Sequence, residues 1–480
     1  MLWLCIALPQ LPLEALRSEE TDRPFVVTAC EGSARWIVCC NPAAEHMRLR
    51  QDMNYTVALA LCPDVQKLER SPAAETAALE RLAAWAYQFS STVITGEVPL
   101  DFRQARSSAA LWLEIGGSLK LFGGFRNFIA ALERELEPLH YSYQLGIGPT
   151  LEGAALLARA GIRVVIPSPA ALQLRIRNLP IAQLALVPQI AGALHTSGVR
   201  TIGLLLELPR DAVIKRFGVA LGNFLDRLIG AAPDPRPVFR LPHRYAARFD
   251  FEFEVKSTEA LLFPLRRMLH EFAGFLRARD TGVQHFTITF AHRGAPGTAL
   301  DIGLSLAERD ANRFLALVRE RLERFELPAP TIGLRIDADQ FAMPAALQAD
   351  LARGALQQSE DLAHTIDRIA ARLGTQQVHG LRQVADHRPE ASWAAAPLQD
   401  SRDNPQFPER PLWLLQEPKP LQLSVMPQIV AGPERIEGGW WDTGDLQRDY
   451  YIVHLSTGAD LWVYRDLGER GGWYLHGFWS

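Results

Sequence analysis

The chain begins with MLWLCIALPQLPLEAL, residues 1–16, and the nature of this stretch decides what kind of protein follows. An apolar amino terminus is typical of an export signal, of a membrane anchor or of a buried first strand. An export signal carries basic residues before its apolar core, whereas the first basic residue here is Arg17. A membrane helix needs about 20 apolar residues, and Pro9 and Pro12 interrupt this run. We therefore predict a strand over residues 2–8 in a soluble, cytoplasmic protein.

The composition limits the number of domains and the cellular compartment. With 480 residues, 48% of them hydrophobic, the chain is too long for a single core, and we expect several domains. The spacing of its 5 cysteines matches neither a disulfide framework nor a zinc site, which favours a reducing cytoplasm. The 50 basic and 54 acidic side chains give a net charge of −4, so any contact with nucleic acid must use a local basic surface.

Hydrophobic periodicity divides the chain into five regions and predicts an α+β multidomain fold. Residues 1–170 alternate short apolar runs with helical patterns, as an α/β domain does. Residues 171–235 are predicted to form short helices, and residues 236–342 follow the order β-α-β-β-α-β. The Pro- and Gln-rich residues 343–432 are expected to be mainly linker. Residues 433–480 alternate in three runs, which predicts a small β-meander domain with an aromatic core.

Three motifs along this order resemble one protein family. They are LEIGGSLKLFGG (113–124), GIGPTLEGAALLARAG (146–161) and GVRTIGLLLEL (198–208). Together with the order of the regions, they resemble the Y-family translesion DNA polymerases. The resemblance covers about residues 1–342. It implies a palm with fingers in the first region, a helix-hairpin-helix thumb in the second and a little finger in the third, followed by the linker and the small β-rich domain.

The resemblance also locates the catalytic positions of the family, where this chain lacks the required side chains. Polymerase chemistry uses two divalent metals, and such hard cations need clustered carboxylate oxygens. The family's three metal-ligand positions fall on Cys5, Ala109 and Ala110. Its triphosphate-binding positions fall on Pro42, Glu45 and Leu151, and at Glu45 the charge is reversed. The resemblance therefore implies a pseudoenzyme that has no catalytic residues, no metal site and no cofactor.

Segments of the tail, among them GLRQVADHRPEASW (380–393), resemble a non-catalytic branch of this family that acts in damage-induced (SOS) mutagenic DNA synthesis. That resemblance implies an adaptor that is nucleoid-associated when active. Its implied partners are DNA at modest affinity, the β sliding clamp, a RecA-like protein and the alpha subunit of an error-prone C-family DNA polymerase. One alternative is a divergent but active lesion-bypass polymerase that uses carboxylates such as Glu14 and Glu114. Another is a DNA-structure-binding module without polymerase partners.

Two segments are candidates for the clamp-binding motif. Clamps bind peptides of the type Q-L-(S/D)-L-F, in which a few buried anchors dominate the affinity. In QADLA, residues 348–352, Gln348, Asp350 and Leu351 match, while Ala352 lacks the aromatic ring. QLSVM, residues 422–426, fits somewhat better but is predicted to form a strand. Leu351 is alternatively an ordinary helix contact.

Candidate DNA contacts lie in the little finger. The basic residues considered are Lys256, Arg266, Arg267, Arg277, Arg279 and Arg293. Those on the predicted helix are alternatively a solvated face. In the thumb, the glycines whose amides approach phosphate are replaced by ALV at residues 185–187, which makes contact by the first hairpin doubtful.

Two polar or aromatic groups in the tail invite a functional interpretation. Aromatic residues at the end of the chain could stack on single-stranded bases, but we favour a structural role in a small core. This set is Trp440, Trp441, Tyr450, Tyr451, Trp462, Tyr464, Trp473 and Tyr474. Asp386, His387 and Glu390 are close in sequence and could hold a metal ion, but a polar turn is the favoured interpretation.

Overall fold

The described chain separates into two compact units, Met1–Arg368 and Ile369–Ser480. The structure is a computed structural model, and it describes residues 1–16, 23–101, 106–343, 353–374, 377–396, 410–421, 428–439, 446–455, 458–468 and 471–479. Within these residues, no helix combines the length and the apolar character that crossing a membrane requires.

The first region folds as a palm with a small finger subdomain. Its elements are β1 Trp3–Leu8, α1 Leu11–Glu14, β2 Phe25–Glu31, β3 Ala34–Cys40, α2 Pro42–His46, α3 Tyr55–Leu61, β4 Gln66–Glu69, α4 Pro72–Ala86, β5 Val93–Asp101, β6 Arg106–Glu114, α5 Phe125–Leu136, β7 Gln144–Gly148 and α6 Leu151–Arg159. The predicted first strand is thus confirmed as β1.

The palm is an antiparallel sheet in the order β5-β6-β1-β7. Because side chains alternate along a strand, β1 sends Leu4, Ile6 and Leu8 to one face, where they join a core formed with α4 and α5. Cys5 and Ala7 point to the opposite face, where α6 packs. The fingers form a separate sheet in the order β3-β2-β4.

The second region is all-helical, as predicted. Its helices are α7 Pro169–Ile176, α8 Pro188–Thr196, α9 Ile202–Glu207, α10 Arg210–Phe217 and α11 Val219–Ile229. Ala185, which takes the place of a hairpin glycine, has a φ of 48°. This left-handed conformation disfavours a side chain, so the thumb keeps the hairpin geometry although the glycine is absent.

The third region confirms the predicted order β-α-β-β-α-β. Its elements are β8 Tyr245–Val255, α12 Thr258–Ala278, β9 Val283–His292, β10 Ala295–Glu308, α13 Ala311–Leu322 and β11 Thr331–Ala338. The sheet order is β10-β9-β11-β8. Phe272, Phe286 and Phe314 pack ring against ring between the sheet and its helices. The other face of the sheet is open, and we call it the open face of the little finger.

The tail differs from its sequence prediction, because much of the expected linker is folded. Its elements are α14 Arg353–Leu373, β12 Gly380–Gln383, β13 Trp393–Ala396, β14 Trp413–Leu421, β15 Gln428–Gly438, β16 Leu446–His454, β17 Asp460–Asp466 and β18 Trp473–Phe478. Strands β16 to β18 form the predicted meander, which β14 and β15 extend to five strands in the order β14-β18-β17-β16-β15.

Candidate functional site

The palm sheet brings two of the three expected metal-ligand positions onto one face. Strands β1 and β6 pair antiparallel, with Ala7 opposite Ala110 and Cys5 opposite Trp112. Cys5 and Ala110 are therefore diagonal neighbours, close enough for long side chains at these positions to meet. Ala109 follows the alternation of the strand and packs with the core on the opposite face.

This face, which we call the emptied face, is a dry packing surface. Cys5 and Ala110 are 0% exposed, and they pack with Trp112 and Leu151. The indole Nε1 of Trp112 donates a hydrogen bond of 3.0 Å to the carbonyl oxygen of Leu151 at the start of α6. Burial raises the pKa of the Cys5 thiol well above its ordinary value, so this side chain stays neutral.

Glycine at position 146 lets α6 approach the emptied face closely. A Cβ atom at Gly146 would lie 2.1 Å from the carbonyl oxygen of Ala154 and 2.2 Å from the amide nitrogen of Ala158. Real Cβ atoms do not come this close to backbone, so the helix rests directly on β7. Leu151, at a triphosphate-binding position of the family, is thereby 4% exposed and belongs to the core.

Among the described residues of the palm, the charged groups beside the emptied face lie at its rim, where they have partners. The guanidinium of Arg236 stacks over the Trp112 ring at 4.8 Å. It donates hydrogen bonds to Glu152 at 2.6 Å and to Asp234 at 2.7 Å. Burial raises the pKa of Glu152, and it lowers the pKa of Arg159 to about 10. The described residues of the emptied face therefore form a packing surface with ion pairs at its rim. The centre of this face holds no clustered oxygen ligands.

The other triphosphate positions lie in the fingers. Asn41 caps α2 by accepting a hydrogen bond of 3.0 Å from the amide of Ala44, and it also accepts one of 2.9 Å from the amide of Phe25. Pro42 begins the helix, and Pro42 and Glu45 are exposed. The motif therefore persists as a helix start, and no cation stands at either position.

The two carboxylates that the active-polymerase alternative requires lie at opposite ends of β1. Glu114 is paired with Trp3 at the start of the strand. Its carboxylate accepts hydrogen bonds from the amides of Leu2, Gly116 and Gly117. Glu14 follows the far end of the strand and accepts a hydrogen bond of 2.8 Å from the amide of Ser142. A strand rises about 3.3 Å per residue, so the length of β1 separates the two groups and they do not converge.

The predicted DNA-binding residues are dispersed. Three of them are partly or fully buried in contacts within the protein, and the exposed Arg293 lies 3.7 Å from Glu254. Arg267 is 2% exposed and donates to the carbonyl oxygen of Glu14, so it does not face DNA. Arg277 bonds Gln88 and Glu135, and Arg279 donates to the carbonyl oxygen of Pro242. The exposed members of the set are Lys256, Arg266 and Arg293.

Sequence reasoning overlooked two arginines on the open face of the little finger. Arg248 on β8 and Arg335 on β11 are directly opposite each other, and both are exposed. Each is paired along its own strand, Arg248 with Asp250 and Arg335 with Asp337, at 2.7 Å in both cases. The alternation of FDFEFEV, a strand signal, would have placed Arg248 on the polar face. The pairing offsets both cations, and the exposed Asp301 of β10 lies on the same face, which limits the attraction of this face for phosphates.

Several tail predictions fall on or beside residues outside the described ranges. Gln348, Asp350, Leu351 and residues 422–426 all lie outside them, as do Trp440 and Trp441. The described part of the aromatic set supports the favoured structural role, since Tyr450, Trp462 and Tyr464 are 1%, 2% and 4% exposed. In the polar turn, Asp386 pairs with Arg388, and Glu390 with Arg448. Among the residues the structure describes, no group of three or more His, Cys, Asp or Glu side chains is arranged to hold a metal ion.

Comparison with known proteins gives relatives that match most of the chain. Residues 12–159 match the impB/mucB/samB family. The chain is 29% identical over 465 residues to Protein ImuB of Caulobacter vibrioides strain NA1000 / CB15N, covering 88% of this chain and 97% of the relative. Protein ImuB of strain ATCC 19089 / CIP 103742 / CB 15 matches to the same extent.

Solved structures of Y-family polymerases are also among the similar proteins. The crystal structure of DinB from Sulfolobus solfataricus has a TM-score of 0.40 and 14% identity, covering 72% of this chain and 100% of that one. A post-insertion binary complex of Dbh DNA polymerase gives the same values. The family match and the observed element order together give the fold class, a Y-family polymerase architecture with an additional carboxyl-terminal β-rich domain.

Proposed function

We propose that this chain, a homologue of Protein ImuB with an impB/mucB/samB domain, is a non-catalytic adaptor in mutagenic translesion DNA synthesis. The homology supports a role in translesion synthesis. The absence of catalysis and the adaptor role are our inference. We expect the protein in the cytoplasm, associated with the nucleoid when it acts.

The emptied face of the palm carries this proposal. Two divalent metals are held by carboxylate oxygens, which neutralise the charge that develops during phosphoryl transfer. Here Cys5 and Ala110 occupy ligand positions and are fully buried under α6. Placing carboxylates and metals there would require α6 to move and Trp112 to lose its bond to Leu151. The active-polymerase alternative would in addition need Glu14 and Glu114 to meet across the length of β1.

The proposed partners are those that the resemblance implies. They are the β sliding clamp, the RecA-like protein ImuA, the alpha subunit of an error-prone C-family polymerase, and DNA. For the clamp we propose Gln348, Asp350 and Leu351, with residues 422–426 as the second candidate. For DNA we propose contacts by Lys256, Arg266 and Arg293. The balance of charge on the open face of the little finger supports a modest affinity.

A reconstitution separates catalysis from binding. The purified protein should incorporate no nucleotide on a primed template with Mg²⁺ or Mn²⁺, while an active Y-family polymerase serves as the positive control. It should bind the clamp, and Gln348→Ala with Leu351→Ala should lower that affinity at least about tenfold, because a few anchors dominate such peptides. The matched control is Gln422→Ala with Leu423→Ala. Robust nucleotide incorporation by clean protein would refute the proposal. Loss of clamp binding only in the Gln422→Ala, Leu423→Ala variant would identify residues 422–426 as the clamp-binding motif.

A further inference from the structure

Helix α12 of the little finger meets helix α4 of the palm through a buried ion pair. The guanidinium Nε of Arg81 on α4 lies 2.7 Å from the carboxylate Oε2 of Glu271 on α12. Their side chains are 9% and 0% exposed. Burial by itself would lower the pKa of Arg81, but the neighbouring Glu271 carboxylate together with Tyr141 and Tyr245 holds that pKa above its ordinary value. The guanidinium of Arg81 therefore stays charged inside the protein.

The same carboxylate joins further groups from both domains. Its Oε1 accepts a hydrogen bond of 3.0 Å from the hydroxyl of Tyr141, in the palm. Arg267, one turn before Glu271, lies 3.8 Å from this oxygen and stacks over the Tyr141 ring at 4.3 Å. Arg267 also donates a hydrogen bond of 2.7 Å to the backbone carbonyl of Glu14. Arg81 and Tyr141 of the palm both bond Glu271 of the little finger. Arg267 of the little finger bonds Glu14 of the palm. These hydrogen bonds all connect the two domains.

The shapes of the two helices fit at the same place. A Cβ atom at Gly274 on α12 would lie 2.2 Å from Cδ1 of Trp85 on α4, and Trp85 is 0% exposed. At the edge, Arg277 bonds Gln88 at 2.8 Å and Glu135 at 2.5 Å. We call the contact of α4, α12 and Tyr141 the palm–little finger junction.

We propose that this junction locks the little finger onto the palm, so that the orientation of its open face is set before DNA is bound. A domain held by a flexible tether would expose its contact surfaces to water, and charged groups there would be solvated. Here separation would leave two guanidinium groups and a carboxylate without partners until water enters the whole junction. Such a contact has two discrete states, closed and open, and it opens as a unit. The part of α12 that faces the palm is then unavailable to DNA, as the burial of Arg267 requires.

Hydrogen exchange on the full-length protein tests the lock with two independent variants. Gly274→Ala adds a single methyl group against Trp85, and because alanine favours helix more than glycine does, α12 itself is not weakened. Glu271→Gln removes the shared charge and keeps the shape. The matched controls are Gly192→Ala, a helical glycine with open space around it, and Glu254→Gln, which removes an exposed pair with Arg293. Amides of α4 and α12 are followed, with those of β9 as the reference for the little finger core.

We expect both junction variants to speed exchange in α4 and α12 by at least about tenfold while β9 stays protected, because opening separates two folded domains. Both controls should leave all three segments unchanged. Unchanged exchange in α4 and α12 in both junction variants would overturn the lock. Equal loss of protection in β9 would overturn it too, because the network would then stabilise the little finger itself.

Discussion

The emptied face of the palm and the palm–little finger junction lie in the same compact unit, and they differ in what they bury. The emptied face encloses Cys5, Ala110 and Trp112 and keeps ionic groups at its rim. The junction encloses Arg81 and Glu271 at its centre. Both surfaces exclude water. They differ in that the emptied face buries apolar side chains, whereas the junction buries charged side chains that have partners.

On the proposed function, the contrast shows what becomes of a metal site when the metal is no longer used. Carboxylates clustered for metal binding repel one another without the cation, and burying them costs free energy. Replacing them with small apolar side chains removes that cost and lets α6 pack on the sheet. At the junction each oxygen of Glu271 has a donor from the palm, so the charge is compensated. On that proposal, charge is retained where it joins domains and is absent where the chemistry of the family would need it.

The largest expected effect comes from returning one acid to the emptied face. Ala110→Asp places a carboxyl group at a fully buried site where the arginines of the rim, Arg159 and Arg236, already have partners. We expect a loss of about 4 kcal/mol in the free energy of unfolding. Urea unfolding followed by circular dichroism measures it. Ala299→Asp, on an exposed position of β10, is the control and should change stability by less than about 0.5 kcal/mol. A loss of under about 1 kcal/mol for Ala110→Asp would mean that water reaches this face.

The next effect comes from removing one charge of the junction. Arg81→Met leaves Glu271 buried with only Tyr141 and the more distant Arg267, and we expect a loss of about 3 kcal/mol. Adding Glu271→Gln should recover part of it, because a glutamine still accepts from Tyr141 and no longer carries a charge. The same urea experiment on both single variants and the double variant gives the coupling energy. Strictly additive losses would show that the pair is not a unit.

Local pattern was enough to predict the fold of the first three regions. The run of residues 2–8 reads as a strand, and the alternation and helical periods after residue 240 give the order of the little finger. The tail was harder, because the many polar residues around α14 suggest linker by composition. The helical spacing of Leu362, Ile366 and Ile369 was present in the sequence and overlooked. Composition outweighed periodicity there, and the structure shows a helix.

The site was only partly predictable, for two physical reasons. Adjacent residues in a strand face opposite ways, so Ala109 and Ala110 could not both lie on the emptied face, and the sequence pattern already implied this. Arg266 and Arg267 are also adjacent, but one is exposed and the other is buried. That choice depends on Tyr141 and on the carbonyl oxygen of Glu14, which lie far away along the chain. No local pattern carries this information.

The smallest effect concerns Glu14, one of the two carboxylates considered for an active polymerase. Burial raises its pKa, although the hydrogen bond from Ser142 and the charge of Arg267 oppose this. Glu14→Gln keeps an acceptor for the Ser142 amide, so we expect a stability change within about 1 kcal/mol at pH 7. The substitution should leave the stability unchanged or raise it. A folded-state pKa above the ordinary value means that the ionised carboxylate destabilises the folded state.

The pH dependence of the stability difference between Glu14→Gln and the parent protein shows whether Glu14 is part of the palm–little finger junction. Where the folded protein holds the proton more tightly than the unfolded chain, stability rises as the pH falls towards the ordinary value of 4.5. Glu14→Gln does not titrate at this position, so its stability should not gain from acidification in this way. The difference in stability between the variant and the parent protein should therefore shrink as the pH falls, and urea unfolding from pH 7 to pH 4 measures it. A large loss at pH 7 would instead mean that the carboxylate acts as a counter-ion of Arg267. Glu14 would then belong to the junction alongside Glu271 and would serve the contact between the two domains.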